Sequence, residues 1–115
     1  MSFTISERYD CIIIEFNDNL VGGPDTVSLN EKLHELLDEG KKKVVVDLSR
    51  VQVMNSSGLG MLIGALTTMR NGGGELKLAN PSEKVQKLMS LTKLASVFES
   101  YESTEEAVSS FETKT

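Results

Sequence analysis

Two adjacent serine hydroxyls stand where a strand pattern gives way to a helix pattern. The sequence is Asn55-Ser56-Ser57-Gly58, between a β-branched apolar run and apolar residues at helical spacing. A serine at a helix start can accept a hydrogen bond from a backbone N–H group that has no partner within the helix. An exposed serine hydroxyl can also be phosphorylated. Capping and phosphorylation are therefore the chemistries that these residue types permit.

The position of this turn favours an exposed hydroxyl beside the positive end of a helix. We expect the helix to begin near Gly58, with one of the two serines as its N-cap, which leaves the other without a structural task. The carboxyl ends of parallel strands lie at the sheet edge where ligands and partners bind. A phosphate would add a charge of about −1.5 to −2, and a helix N-terminus favours an anion by roughly 0.3–1 kcal/mol. The residues alone leave a plain cap and a phosphorylation switch as equal alternatives.

The residue types that most enzyme sites require are missing. His34 is the single histidine and lies within a leucine-rich helix pattern, where a surface position is expected. Cys11 is the single cysteine, and its apolar neighbours predict a buried thiol. No second histidine or cysteine can complete a zinc site, and the phosphate-loop, dinucleotide and nucleophile-elbow motifs are absent. We expect no catalytic activity, no metal and no cofactor.

The bulk composition fits a small cytoplasmic domain. The chain has 115 residues, which suit a single domain spanning residues 1–115. Its formal net charge of −5 argues against direct binding to nucleic acid or to an anionic membrane. There is no signal-peptide pattern and no apolar run long enough to span a membrane. We expect a cytoplasmic protein that is a monomer or a weak dimer.

Strand and helix patterns alternate along the chain. Strands are predicted at Phe3 and Ile5, at residues 11–16, at residues 44–48, at Leu76 and Leu78 alternating with Glu75 and Lys77, and at residues 97–101. Helix core faces are predicted at Leu29, Leu33, Leu36 and Leu37; at Leu59, Leu62, Ile63 and Leu66; at Val85, Leu88 and Met89; and at Val108 and Phe111. The order β-β-α-β-α-β-α-β-α predicts an α/β fold, a mostly parallel sheet of four to five strands with about four helices.

Turn and cap residues mark the ends of these helices. Pro24 suits the first turn of the first helix, where Asp25 can accept from exposed N–H groups, and Gly40 ends it. Ser82 is the expected cap of the third helix, and Ser103 with Glu106 forms a capping box for the fourth. Residues 112–115 are expected to fray.

The sequence from Val44 onward resembles the STAS family of anti-sigma factor antagonists. The resemblance rests on a strand followed by an N-S-S-G-L-G turn at residues 55–60, a G-G-x-L-x-L strand at residues 73–78 and an L-T-x-L segment at residues 91–94. It extends over essentially the whole chain. It implies a STAS-like fold and a protein that binds a serine-kinase anti-sigma factor of the GHKL type, which releases a sigma factor.

The resemblance also implies roles for individual residues. Ser56 corresponds to the phosphoacceptor, which the kinase phosphorylates and a PP2C-type phosphatase restores. The residues that would contact the partner are Asn55, Ser57, Gly58, Leu59, Gly23 and Asp25. The loop at residues 17–25 would lie beside the serine turn.

One residue departs from the family pattern. The usual aspartate before the serines is Asn55 here, which keeps a hydrogen-bonding side chain and loses a negative charge. If that carboxylate orients the kinase, phosphorylation would be slower or absent. Two alternatives to the switch therefore remain: a STAS scaffold that is not phosphorylated, and a small-ligand or nucleotide-binding module that uses the same helix N-terminus.

Overall fold

The predicted alternation of strands and helices is confirmed. In the computed structural model, which describes residues 3–94 and 96–112, five strands and four helices follow one another as expected. They are β1 (Phe3–Arg8), β2 (Cys11–Phe16), α1 (Pro24–Asp38), β3 (Lys43–Asp47), α2 (Ser56–Asn71), β4 (Glu75–Ala79), α3 (Glu83–Leu91), β5 (Ser100–Tyr101) and α4 (Thr104–Glu112).

The five strands form one sheet in the order β1-β2-β3-β4-β5. The β1–β2 pair is antiparallel, and its connecting turn places Tyr9 and Asp10 at positive φ values of 52° and 73°. Positive φ at both turn residues matches the twist of the two flanking strands. The other three pairs are parallel, so the carboxyl ends of β2, β3, β4 and β5 share one edge of the sheet, as predicted.

Helices cover both faces of the sheet. Core residues of α1, α2 and α3 pack with Ile12, Ile14, Val44 and Val46 on one face. Ala107 and Val108 of α4 pack with Cys11, Ile13, Val45 and Ala79 on the other. The central strand β3 is therefore covered on both sides, which explains its continuous run of valines. Cys11 is buried and His34 is exposed, as expected.

The last strand is shorter than predicted. Strand β5 contains only Ser100–Tyr101, whereas the apolar pattern indicated residues 97–101. After α3 the chain turns back on itself, because Lys93 adopts a φ of 62° and the Leu94 N–H donates to the Met89 carbonyl at 2.8 Å. This closure is typical of a helix C-terminus, and Phe98 then fills the core rather than extending the strand.

The predicted helix caps are largely confirmed. The Ser82 hydroxyl accepts from the Val85 N–H at 3.2 Å, and the Ser103 hydroxyl accepts from the Glu106 N–H at 3.0 Å. Gly40 has a φ of 81°, the left-handed value expected after a helix. Of the predicted frayed end, residues 113–115 and the side chain of Glu112 lie outside the described part of the chain.

The strand predicted at Leu76 and Leu78 is confirmed as β4, and its Lys77 side chain is only 1% exposed. The face of β4 on which it lies is covered by α4, so the lysine is buried beneath a helix. The sequence pattern of β4 alone does not reveal this cover.

Candidate functional site: the turn at the start of α2

The N-cap of α2 is Asn55. Its side-chain Oδ1 accepts a hydrogen bond from the Gly58 N–H at 2.8 Å, and its backbone is extended. The helix begins at Ser56 rather than near Gly58, so the expectation that a serine serves as the cap was wrong. Asn, Asp and Ser are all strong N-caps. Because the helix begins at Ser56, the residue directly before it, Asn55, is the N-cap.

Both serines are consequently inside the first turn of α2, and both are exposed. Within the described residues, neither hydroxyl has a hydrogen-bond partner. The backbone N–H groups of Ser56 and Ser57 are likewise unpaired in the same part of the chain, because the carbonyls four residues before them lie outside the helix. The first turn of α2 carries no acidic side chain. Two free hydroxyls therefore lie at the positive end of a helix of 16 residues.

A neighbouring loop holds this turn in place. The backbone of Leu20 donates to the Val53 carbonyl at 3.1 Å and accepts from the Asn55 N–H at 3.2 Å. Leu20 and Met54 form a short parallel bridge. The Asn19 side chain accepts from the backbone N–H groups of Gln52 and Val53, at 3.1 and 3.0 Å. The predicted proximity of the loop after β2 to the serine turn is thus confirmed.

Two glycines make this close approach possible. A Cβ atom added to Gly58 would lie 2.0 Å from the Leu20 carbonyl oxygen, far inside van der Waals contact. A Cβ on Gly22, which has a φ of 83°, would lie 2.8 Å from the Cβ of Ser57. The sequence predicted loop conformation for Gly22, but its second task, leaving room for Ser57, depends on tertiary contact.

The other residues predicted to contact the partner differ in how exposed they are. Gly23 is exposed, has a φ of 82° and is the N-cap of α1, with its carbonyl accepting from the Thr26 N–H at 3.0 Å. Asp25 lies in the first turn of α1, and its side chain falls outside what the structure describes. Gly58 and Leu59 are buried, so they form the base of the turn rather than its surface.

Asn19 and Leu20 were missed by the sequence reasoning. Leu20 is buried, whereas the adjacent Val21 is 55% exposed and the other residues of the loop are polar or glycine. A leucine in an otherwise mostly polar loop was the available signal, since a buried loop residue requires backbone hydrogen bonds to another segment.

The arrangement can present an exposed hydroxyl for modification and tolerate a dianion on it. Within residues 3–94 and 96–112, no cluster of three or more potential metal ligands is found. No helix in that part of the chain has the length and hydropathy of a membrane span.

Replacing Asn55 tests its role as the cap. Asn55→Ala is expected to lower the free energy of unfolding by about 1 kcal/mol, because the Gly58 N–H loses its acceptor. Asn55→Asp should remain within a few tenths of a kcal/mol of the wild type or exceed it slightly, since both caps accept equally well and a carboxylate is favoured at a helix N-terminus. Urea unfolding followed by circular dichroism measures both variants. Equal losses of unfolding free energy in Asn55→Ala and Asn55→Asp would contradict the assignment of Asn55 as the cap.

A matched pair of glycine variants tests the contact with Leu20. Gly58→Ala should cost about 3 kcal/mol or more, because the new methyl group overlaps the Leu20 carbonyl. Gly60→Ala, two residues further along α2, meets no atom within 4 Å and should gain about 0.5–1 kcal/mol from helix propensity. Similar changes for the two variants, measured by chemical unfolding, would show that the contact imposes no such constraint.

The sequence matches the family model of the STAS domain over residues 3–107. The anti-sigma-B factor antagonist of Bacillus subtilis is 34% identical over 84 residues, which cover 70% of this chain and 76% of that protein. A Thermotoga maritima protein described as a candidate anti-sigma factor antagonist is 34% identical over 74 residues, which cover 64% of this chain. That match spans 66% of the Thermotoga protein, slightly less than two thirds of its length.

Solved structures share the fold described above. The crystal structure of a Thermotoga maritima protein of the same description superposes with a TM-score of 0.82 at 28% identity, covering 94% of this chain and 92% of that one. The phosphorylated form of the Bacillus protein SpoIIAA superposes with a TM-score of 0.71 at 20% identity, covering 95% and 98%. The family model, the related sequences and the shared fold agree, and the chain belongs to the STAS domain family.

Proposed function

We propose that this STAS protein is an anti-sigma factor antagonist whose partner binding is switched off by phosphorylation of Ser56. The partner would be a serine-kinase anti-sigma factor of the GHKL type, and a PP2C-type phosphatase would reverse the modification. Relatives named as anti-sigma factor antagonists support the general role. The same fold is known in phosphorylated and unphosphorylated forms in SpoIIAA. We also propose that the protein acts in the cytoplasm and has no catalytic activity.

The observation that carries the proposal is the free, exposed hydroxyl of Ser56 at the first position of α2. Asn55 already caps the helix, so modification of Ser56 removes no hydrogen bond from the fold. A phosphate there would meet the positive helix end and unpaired N–H groups, a contribution of roughly 0.3–1 kcal/mol in favour of the phosphorylated form. Phosphorylation would then change the surface while leaving the structure beneath it intact.

The surface around Ser56 has the character of a protein-binding site. Val21 and Val53 flank the bridged segments of the turn and are 55% and 45% exposed, and Val27 on α1 is 61% exposed. Exposed apolar side chains in the segments next to the serine turn would support contact with another protein. Binding would bury these side chains against the partner. A dianion on Ser56 would then lose water without gaining a counter-charge, which weakens the complex.

The remaining site residues fit this surface in two ways. Asn55, Ser57 and Gly23 are exposed and would contact the partner directly, together with Asp25 at the start of α1. Gly58 and Leu59 would act from beneath by fixing the position of the turn.

A scaffold that is not phosphorylated is the second candidate, and the observation that favours it is Asn55 in place of the usual aspartate. Since Asn55 has a capping role that either residue can fill, the missing charge would affect the kinase rather than the fold. Nucleotide binding is less favoured. A cavity of about 860 Å³ beside β5 has no lysine or arginine among its lining residues to receive phosphates.

Phosphorylation of Ser56 can be measured directly. Incubated with its cognate kinase and ATP, the wild-type protein should gain one phosphate, and mass spectrometry should locate it on Ser56. Ser56→Ala should abolish the gain and retain kinase binding, whereas Ser57→Ala, the matched control, should still be phosphorylated. Ser56→Asp should fold normally and bind the kinase at least about tenfold more weakly, because a charge is buried at the interface.

Absence of phosphate on Ser56, with a kinase that nevertheless forms a stable complex, would contradict the switch and support the scaffold. The variant Asn55→Asp distinguishes slow phosphorylation of Ser56 from no phosphorylation. If the lost carboxylate matters only for the kinase, this variant should be phosphorylated faster than the wild type at equal stability.

A further inference from the structure

Lys77 is a charged side chain buried beneath α4 and surrounded by specific partners. Its ammonium group donates to the Ser110 hydroxyl at 2.7 Å and pairs with Glu99 at 3.1 Å. It also lies 4.4 Å from the ring centre of Phe111 and 5.6 Å from that of Tyr101. Among the described residues, it is the one charged side chain that is buried. Its environment therefore replaces water with a carboxylate, a hydroxyl and two aromatic faces.

All four partners come from one short stretch of chain. Glu99 and Tyr101 belong to the β5 region, and Ser110 and Phe111 to the last turn of α4. When this stretch covers the sheet, it supplies all four of the groups that replace water around the Lys77 ammonium. When the stretch is displaced, water solvates the ammonium instead, so exposing Lys77 carries none of the penalty that an exposed leucine would.

The other contacts of α4 are modest. Its buried side chains are Ala107 and Val108, which pack with Cys11, Ile13, Val45 and Ala79, and Phe111 is partly buried against the same cluster. The exposed carboxylate of Glu105 also pairs with Arg8. By comparison, α2 buries three leucines and two methionines. A helix of nine residues is marginal without tertiary contacts. Strand β5 adds only two residues to the edge of β4.

We propose that residues 99–112 form a lid that opens from the sheet as a unit while the rest of the chain stays folded, and that Lys77 controls how often it opens. Local opening of such units is expected where few apolar contacts hold an element. Opening uncovers the apolar cluster of Cys11, Ile13, Val45 and Ala79 and the edge of β4. This lid lies on the opposite face of the sheet from α2, and its existence does not depend on the function proposed for Ser56.

Cys11 provides a natural probe, because it is buried in the cluster that α4 completes and is the only cysteine of the chain. Its reaction with a disulfide reagent is measured at low urea, in parallel with global unfolding. In the wild type, the reaction rate of Cys11 should be much higher than the rate expected if only global unfolding exposed the thiol. Ser110→Ala should raise the rate about tenfold or more, because the covered ammonium loses an acceptor.

The background variant Lys77→Met separates this charge effect from simple packing, since methionine can keep the contacts with the rings. In that background Ser110→Ala should change the rate by less than about twofold, and Glu99→Gln should behave likewise. Asn55→Ala lowers global stability at a distant site and should leave the Cys11 rate at low urea unchanged. Reaction of Cys11 only through global unfolding would overturn the lid. An equal effect of Ser110→Ala in both backgrounds would overturn the role of Lys77.

Discussion

The structure around the serine turn depends on one close contact, the approach of α2 to the backbone of Leu20. The helix start lies so near the Leu20 carbonyl that Gly58 has no room for a side chain. That approach brings the loop after β2 into parallel pairing with residues 53–55. The orientation of the serines is thereby fixed by backbone contacts below them, and their own side chains are left free.

This separation of tasks is the physical basis of the proposed switch. If a serine capped α2, phosphorylating it would remove a hydrogen bond that stabilises the fold. Because Asn55 is the cap, Ser56 can gain a dianion at a favourable helix end without that loss. Asn55 caps the helix without a charge of its own, and the first turn of α2 carries no carboxylate.

Local sequence patterns predicted most of the fold because they record burial. The valines of β3, the leucines of α1 and the caps at Ser82 and Ser103 all behave as their patterns indicate. The features that the sequence did not predict are of another kind. The burial of Lys77, the pairing of Leu20 and the steric role of Gly58 each arise from a segment distant in sequence. The choice of Asn55 over the serines as cap depended on where the first turn begins, and helix boundaries are the least certain feature of a sequence pattern.

The most direct measurement compares backbone amide chemical shifts of the protein with serine and with phosphoserine at position 56. A switch that acts at the surface predicts changes confined to the serine turn, the first turns of α2 and the loop at residues 17–23. Amides of β3, β4 and α4 should keep their positions. Shifts spreading through the sheet, or loss of the α2 signals, would show that phosphorylation acts by altering the fold and would contradict this account.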